Sequence, residues 1–239
     1  MSAYKSFAVF GAGRLGSAIL AALAAQNAPV IHLSRSGSSK TVPPGVTVVQ
    51  VDYTDAAAVA AVFREHKVDV VLATVGMEAT GVQKLLADAA KLIEVKLFLP
   101  AAYGIPTEGH LGPGFVAKND IVGYLKNIGI PSTVIHVNGI FIEYIPMIAG
   151  CSDGKIRIVG DGEAPISFTS IADIVGFVAH ALTTLPESEL ENHIMRLEGG
   201  STGWDEASQR KGCGRDAAGA ANALWPGHQW QSIKEVHNL

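Results

Sequence analysis

Three glycines near the start of the chain have the spacing of a loop that holds a pyrophosphate. Gly11, Gly13 and Gly16 form the pattern G-x-G-x-x-G within the stretch FAVFGAGRLGSAIL. In such a loop the first glycine permits a tight turn, the second lets the backbone approach the phosphates, and the third lets a helix pack closely. The free N–H groups at the start of that helix favour an anion. This chemistry requires a strand before the glycines and a helix after them.

The residues around the glycines supply both elements, and the pattern then repeats. Phe7 to Phe10 is an apolar run typical of a buried strand, and Arg14 to Gln26 has apolar residues on one helical face. Later strand candidates are residues 29–33, 46–51, 68–75, 95–100 and 131–137, with helices predicted from Thr54, over 82–93 and over 114–127. Continuously apolar strands that alternate with helices predict an α/β fold with a Rossmann-type doubly wound parallel sheet.

Beyond residue 138 the alternation weakens. We expect a single domain in which residues 1–137 form the dinucleotide-binding core and residues 138–199 form a smaller C-terminal region for a substrate or partner. Residues 155–160 are a strand candidate, and Ser170 with Asp173 matches a capping box at the start of a helix. The atypical tail, residues 200–239, contains all three tryptophans without a clear period, and its structure does not follow from the sequence.

Arg35, at the end of the second strand, indicates which dinucleotide the loop would hold. An NAD site usually has an acidic residue about 20 residues after the glycines, but this chain has Arg35 there and no acid nearby. An arginine can pair with the 2′-phosphate of NADP, assisted here by the hydroxyls of Ser34 and Ser36 and by Lys40. The sequence therefore predicts NADP(H) as the cofactor, unless Arg35 is a solvated surface residue.

Other residues are expected at the cofactor because they follow strands or begin the first helix. Thr74, Val75 and Gly76 end the fourth strand, where the middle of the cofactor would pass. Asp52 either lines the adenine end or is an acid at the start of the helix that follows. The remaining predicted cofactor residues are Arg14, Leu15, Asn138, Gly139 and Phe141.

Lys118 is what this chain keeps of the catalytic pattern of short-chain dehydrogenases, Tyr-x-x-x-Lys with a serine upstream. Gly114 stands in the tyrosine position, and Ala101 follows the fifth strand, where the serine is expected. A lysine in this position can bind the nicotinamide ribose or, where burial lowers its pKa, exchange a proton. The alternative is an exposed helix lysine.

An apolar cluster from Phe141 to Met147 suits either an aromatic substrate or the protein core. We expect Phe141 and Tyr144 to contact a small-molecule substrate. Tyr103 is the only phenol near the expected centre, so it is a candidate substrate residue and a replacement for the missing acid.

Several classes of function are not favoured by the composition. The net charge is −4 and no basic block is present, so nucleic acid is not an expected partner. Cys151 and Cys213 are isolated and lack a histidine cluster, so no metal site is expected, and a reducing cytoplasmic location fits best. No apolar stretch approaches the roughly 18 residues of a membrane span.

The stretch from Phe98 to Pro146 resembles the NmrA-like and isoflavone-reductase-like branch of the atypical short-chain dehydrogenases. The matching residues are Phe98, Pro100, Gly104, Phe115, Lys118, Gly129 to Pro131, Thr133, Asn138, Gly139 and Phe141. The later segment GDGEAPISFTSIADIVGFV is also similar to that family, and the resemblance covers about residues 5 to 200.

This resemblance implies an NADPH-dependent reductase of a small aromatic or enone-like substrate, with Lys118 in catalysis or cofactor placement. The family's Ser-Glu-Phe is replaced here by Ala101, Ala102 and Tyr103. The departure leaves open a second implication of the resemblance, a regulatory member that binds NADP without turnover and acts through a protein partner. A member whose altered tail leaves it binding cofactor only is a third.

Overall fold

The computed structural model describes residues 4–35, 37, 41–76, 79, 81–137, 139–148, 166–202 and 219–237. The chain forms two compact units that interleave along the sequence. The first consists of Met1–Ala102, Thr107–Val134 and Val178–Ile194, and the second of Tyr103–Pro106, Ile135–Phe177 and Met195–Leu239.

A parallel five-stranded sheet lies in the first unit, in the order β3-β2-β1-β4-β5. Its strands are β1 (Phe7–Phe10), β2 (Val30–Ser34), β3 (Val46–Gln50), β4 (Val70–Ala73) and β5 (Leu97–Leu99). Phe7 pairs with Val30 on one side and Val70 on the other, which makes β1 the central strand. All residues of β1, β2, β4 and β5 are buried, which explains their continuous apolar runs. The predicted Rossmann-type α/β fold is confirmed.

Four helices follow strands of this unit: α1 (Arg14–Ala25), α2 (Ala56–Glu65), α3 (Val82–Leu92) and α4 (Pro113–Ile128). The predicted cap of α2 is wrong by one residue. Asp55, not Thr54, caps the helix, because its carboxylate accepts the N–H groups of Ala57 and Ala58 at 2.8 and 3.1 Å. Thr54 instead donates its N–H and its hydroxyl to Asp52, both at 2.8 Å.

The remaining strands form two small sheets among the described residues. β6 (Thr133–Val137) pairs with β9 (His193–Leu197), and β8 (Ile166–Thr169) lies between β7 (Ile140–Phe141) and β10 (Gly200–Thr202). The remaining helices are α5 (Ile145–Ile148), α6 (Ile171–Thr184) and α7 (Ile233–His237), with 3₁₀ turns over Ile142–Tyr144, Glu187–Glu189 and Ala220–Leu224. The predicted strand at 155–160 lies outside the described residues.

Part of the tail, residues 219–237, is bound to the start of α6 within the second unit. The backbone N–H of Asp173 donates to the hydroxyl of Ser170 at 2.9 Å, which is the first half of the predicted capping box. The Asp173 carboxylate, 2% exposed as a residue, binds the tail: His228 Nε2 lies 2.7 Å from one oxygen, and the N–H of Gln231 donates to the other at 2.8 Å. The carboxylate that the sequence pattern assigns to a helix cap thus binds a distant part of the chain.

Within the described ranges, no helix combines the length and apolar character that crossing a membrane requires. In the same part of the chain, no three His, Cys, Asp or Glu side chains come together in a way that could hold a metal ion.

Candidate functional site

The glycine loop joins β1 to α1 in the predicted conformation. Gly11 has a φ of +101°, which residues with a side chain rarely adopt, so the chain turns sharply there. Gly13 precedes α1, is exposed, and leaves the helix start without a side-chain cap. A Cβ on Gly16 would overlap the carbonyl oxygen of Gly11, so α1 packs against the loop at a distance that only glycine permits. The start of α1 lies at this loop, and the N-terminus of a helix favours an anion.

Thr74, directly after β4, fastens this loop to the sheet. Its hydroxyl lies 3.1 Å from the carbonyl oxygen of Phe10 and 2.9 Å from that of Gly11, and its backbone N–H donates to Phe10 at 2.8 Å. The space beside Gly11 is filled by Thr74, whose carbonyl oxygen would lie 2.9 Å from an added Cβ. Thr74 therefore holds the glycine loop in place.

A cleft of about 520 Å³ opens at the carboxyl ends of β1, β2 and β4. Such an edge of an open parallel sheet is where α/β folds bind ligands. Seven predicted cofactor residues line it: Gly11, Gly13, Ser34, Arg35, Thr74, Val75 and Gly76. Seven residues that the sequence did not single out also line it: Phe10, Ala12, His32, Leu33, Tyr53, Ala79 and Val82.

Other predicted cofactor residues of the first unit are not among the described residues that line this cleft. Arg14 is exposed, Leu15 is half-buried, and Gly16 is buried against the loop. Asp52 is exposed, and its two bonds from Thr54 hold the pKa of its carboxyl below the usual range. Asp52 is thus engaged in a local turn, and the next residue, Tyr53, faces the cleft in its place.

The Arg35 end of the cleft combines a cation with a phenol. Arg35 is exposed, and the buried Ser34 directs its hydroxyl at the carbonyl oxygen of Arg35, 3.4 Å away. Tyr53 packs edge-on against Phe10, with ring centroids 4.6 Å apart. Burial raises the pKa of Tyr53, while the charge of Arg35 acts to lower it. Ser36, also predicted here, lies outside the described residues, as does Lys40.

Lys118 lies on α4 and is half-buried, so it is not the exposed helix lysine of the alternative interpretation. Burial lowers the pKa of its ammonium group. The next residue, Asn119, is fixed by two hydrogen bonds with Thr107: the threonine hydroxyl donates to Oδ1 at 2.6 Å, and Nδ2 donates to the threonine carbonyl at 2.9 Å. These bonds hold the segment before α4 against the helix at the turn that carries Lys118. No sequence pattern indicates this pair.

Two buried alanines follow β5, where short-chain dehydrogenases have their serine. The N–H of Ala101 donates to the side-chain oxygen of Gln83 at 2.8 Å, and Gln83 is completely buried at the start of α3. Neither Ala101 nor the adjacent Ala102 offers a hydroxyl or a charge. Of the serine, tyrosine and lysine that short-chain dehydrogenases use in catalysis, this chain therefore retains the lysine, Lys118.

The second unit contains the residues predicted for the nicotinamide and the substrate. Phe141 and Tyr144 contact each other with ring centroids 5.4 Å apart, and both are half-buried. Gly139 has a φ of +82°, and an added Cβ would overlap the carbonyl oxygen of Ser167. Burial raises the pKa of the Tyr103 phenol above its ordinary value. Asn138 lies outside the described residues.

Comparison with protein families gives one match that spans most of the chain. The model of the NmrA-like family matches residues 4–204. Residues 219–237, which the second unit binds through Asp173, follow the end of that match. No curated protein matches the chain in a sequence search.

Solved structures with the same fold include two reductases and a protein bound to NADP⁺. The binary complex of leucoanthocyanidin reductase with NADPH from Vitis vinifera is 18% identical with a TM-score of 0.78, and the match covers 97% of each chain. An isoflavone reductase is 19% identical with a TM-score of 0.71, over 85% of this chain and 73% of the other. AtPrR2 with NADP⁺ and (+)-pinoresinol is 22% identical with a TM-score of 0.67, over 81% and 69%. At these identities the likeness establishes the fold.

Proposed function

This chain belongs to the NmrA-like family, and we propose that it is an NADPH-dependent reductase of a small aromatic or enone-like substrate. The observation that carries the proposal is the cleft itself. The start of α1 and the open side of Gly13 lie at one part of it, and Arg35 directly follows β2, with no aspartate or glutamate among the described residues of the lining. This arrangement suits a dinucleotide with a 2′-phosphate.

The residues present fit such a cofactor. A Cβ on Gly13 would meet nothing within 4 Å, so this part of the loop faces open space that a pyrophosphate can occupy. Arg35 would hold the 2′-phosphate, and Val75 and Gly76 would line the path between the two ends. When bound, NADPH supplies a hydride to the substrate.

Lys118 is the residue we assign to the proton and to cofactor placement. As an ammonium group it can donate to the nicotinamide ribose, and a lowered pKa makes it a stronger acid than an ordinary lysine. It is therefore suited to give a proton, directly or through water, to the atom that becomes negative when the hydride arrives.

The substrate class is proposed from two sources. The solved relatives named above are reductases of leucoanthocyanidin and isoflavone and a protein bound to (+)-pinoresinol. In this chain, Tyr103, Phe141 and Tyr144 offer aromatic surface in the second unit. We propose that these three residues contact an aromatic substrate.

A second function is favoured by one observation, the pair Ala101 and Ala102 in place of a catalytic serine. A protein with the cofactor cleft but without that hydroxyl can act as an NADP sensor that signals through a protein partner. Such a sensor needs no turnover, and a preference for NADP⁺ over NADPH, or equal affinity for both, would favour it over the reductase.

Calorimetric titration with NADPH, NADP⁺, NADH and NAD⁺ separates these functions. Tight binding of NADPH above NADP⁺ and NADH supports the reductase, and a screen of aromatic enones for loss of NADPH absorbance then tests turnover. Lys118→Met should abolish that turnover, whereas Lys126→Met, in the exposed last turn of the same helix, should leave it unchanged. Failure to bind any of the four nucleotides would refute both functions.

A further inference from the structure

Tyr53 occupies a position in the cleft that the reductase proposal leaves without a role. It lines the same cleft as Arg35 and follows Asp52 at the end of β3. Its backbone is held in a local turn, since the carboxylate of Asp52 accepts both the N–H and the hydroxyl of Thr54 at 2.8 Å. The preceding and following residues thus bond each other across Tyr53 and fix where its side chain starts.

The ring of Tyr53 is fixed as well. It meets Phe10 at an interplanar angle of 88°, with centroids 4.6 Å apart, which is a favourable edge-to-face arrangement. Phe10 is buried at the end of β1, directly before the glycine loop. A ring packed on such a residue cannot swing freely, so the direction of its hydroxyl is set by the fold.

That hydroxyl is a donor that the described residues do not use. Within the described ranges it makes no hydrogen bond, and the half-buried Tyr53 lines the same cleft as Arg35, whose positive charge acts to lower the pKa of the phenol. Among the described residues that line the cleft, Arg35 is the only arginine or lysine, and none is an aspartate or glutamate. A neutral phenol beside a lone guanidinium is a pair of donors for one anion, and hydrogen bonds to a charged acceptor are the stronger kind.

We propose that the Tyr53 hydroxyl donates to the 2′-phosphate of the cofactor beside the Arg35 guanidinium, so that Tyr53 is a second determinant of the preference for NADP(H). The inference rests on the proposed function, because it requires a dinucleotide in this cleft. It assigns to the phenol a contact that only the phosphorylated cofactor can make. NAD(H), which lacks that phosphate, gains nothing from the hydroxyl.

The test uses two fragments of the cofactor, 2′,5′-ADP with the 2′-phosphate and 5′-AMP without it, titrated calorimetrically into the full chain. Tyr53→Phe should weaken 2′,5′-ADP about tenfold, the size expected for one hydrogen bond to a charged group, and change 5′-AMP less than twofold. Tyr124→Phe is the matched control, because Tyr124 bonds Asp88 on the surface of the same unit. It should change neither affinity.

A double substitution tests whether the two donors share one anion. In Arg35→Gln, the loss caused by Tyr53→Phe should differ from the loss measured in the wild type, since both groups bind the same phosphate. Equal losses of 2′,5′-ADP and 5′-AMP in Tyr53→Phe would overturn the proposal and make Tyr53 a wall for the adenine. An unchanged affinity for both would overturn it as well.

These outcomes are distinct from failure of the proposed function. If the wild-type chain binds 2′,5′-ADP and 5′-AMP equally, the NADP preference is wrong and the role of Tyr53 is refuted with it. If the wild type prefers 2′,5′-ADP and Tyr53→Phe keeps the full preference, the cofactor proposal stands and only the role of Tyr53 is wrong.

Discussion

Gly13→Ala should weaken cofactor binding without lowering stability. The protein alone has space for the added methyl group, but a bound cofactor would occupy that space. Gly13 has φ −78° and ψ −168°, which alanine adopts without strain, and the new Cβ would meet nothing within 4 Å. Alanine is a slightly poorer N-cap than glycine, but it also loses less backbone entropy on folding. The two effects nearly cancel, so the free energy of unfolding should change by less than about 1 kcal/mol, or roughly 2–4 °C in Tm.

Binding should respond quite differently at the same residue. The open side of Gly13 is where the backbone would approach the pyrophosphate, and a methyl group there occupies the space of a phosphate oxygen. Overpacking of one methyl group costs about 1–3 kcal/mol. A loss of about 2 kcal/mol corresponds to roughly 30-fold weaker binding of NADPH.

Gly16→Ala is the matched substitution that should damage the fold itself. Its Cβ would lie 3.0 Å from the carbonyl carbon of Gly11 and would overlap the oxygen of that carbonyl, whereas unstrained contacts between carbon atoms are about 3.5–4.0 Å. The nearest opposing atom is the backbone oxygen of Gly11, followed by the Thr74 hydroxyl that fastens the loop, so α1 must move away from the loop. We expect a loss of about 3 kcal/mol, which is roughly 6–12 °C in Tm.

Thermal unfolding and NADPH titration of both variants form one experiment. A pyrophosphate at the open side of Gly13 predicts that Gly13→Ala keeps its Tm and loses affinity for NADPH, whereas Gly16→Ala loses Tm. Wild-type affinity in Gly13→Ala would show that the loop does not hold a pyrophosphate. A large loss of Tm in Gly13→Ala would show that the space beside this glycine is not open.

Three further predictions concern charged residues. Arg35→Asp should weaken NADPH far more than NADH in parallel titrations, since it places a carboxylate where the 2′-phosphate would bind, and equal losses would remove Arg35 from that role. Burial lowers the pKa of Lys118 in the folded protein. Burying the charged ammonium therefore lowers the free energy of unfolding by its full amount at pH values below this folded-state pKa. The destabilisation disappears as the pH rises from there towards the ordinary pKa of lysine. Lys118→Met should therefore be at least as stable as the wild type near pH 7 in denaturant titrations, with an advantage that shrinks as pH rises; a constant difference would contradict this. Asp173→Asn should lower the free energy of unfolding by about 2 kcal/mol, which is roughly 4–8 °C in Tm. It should also shift tryptophan emission, because His228, which Asp173 binds, stacks on Trp225 with ring centroids 3.6 Å apart. Unchanged emission would mean that Asp173 does not hold residues 219–237 in place.

The parts of the cleft that follow from local rules could be predicted from the sequence. The glycine spacing predicts a turn and a close helix, and Gly11 and Gly16 have the corresponding conformation and packing. The end of a parallel strand predicts exposure at one edge of the sheet, and Arg35 and Gly76 both line the cleft there. These features depend on a few neighbouring residues, so one sequence is enough to indicate them.

Features that depend on distant partners could not be predicted in this way. Asp52 was a candidate for the adenine end, but its carboxylate is taken by Thr54, and Tyr53 lines the cleft instead. The choice between these adjacent residues is made by a hydrogen bond and by the packing of Tyr53 on Phe10. The hydrogen bond is local, whereas the packing of Tyr53 on Phe10 joins residues that lie far apart in the chain and has no sequence pattern of its own.

Asp173 shows most clearly how a local pattern can serve a tertiary purpose. The motif S-x-x-D predicts a carboxylate that turns back to the start of its own helix, and such an exposed cap would contribute only about 1 kcal/mol. Here the carboxylate is buried and accepts from His228 and Gln231, more than 50 residues later. A buried carboxylate without donors would be costly, so the tail and the helix start require each other. Residues 219–237 follow the end of the family match, yet this carboxylate gives them a fixed place within the second unit.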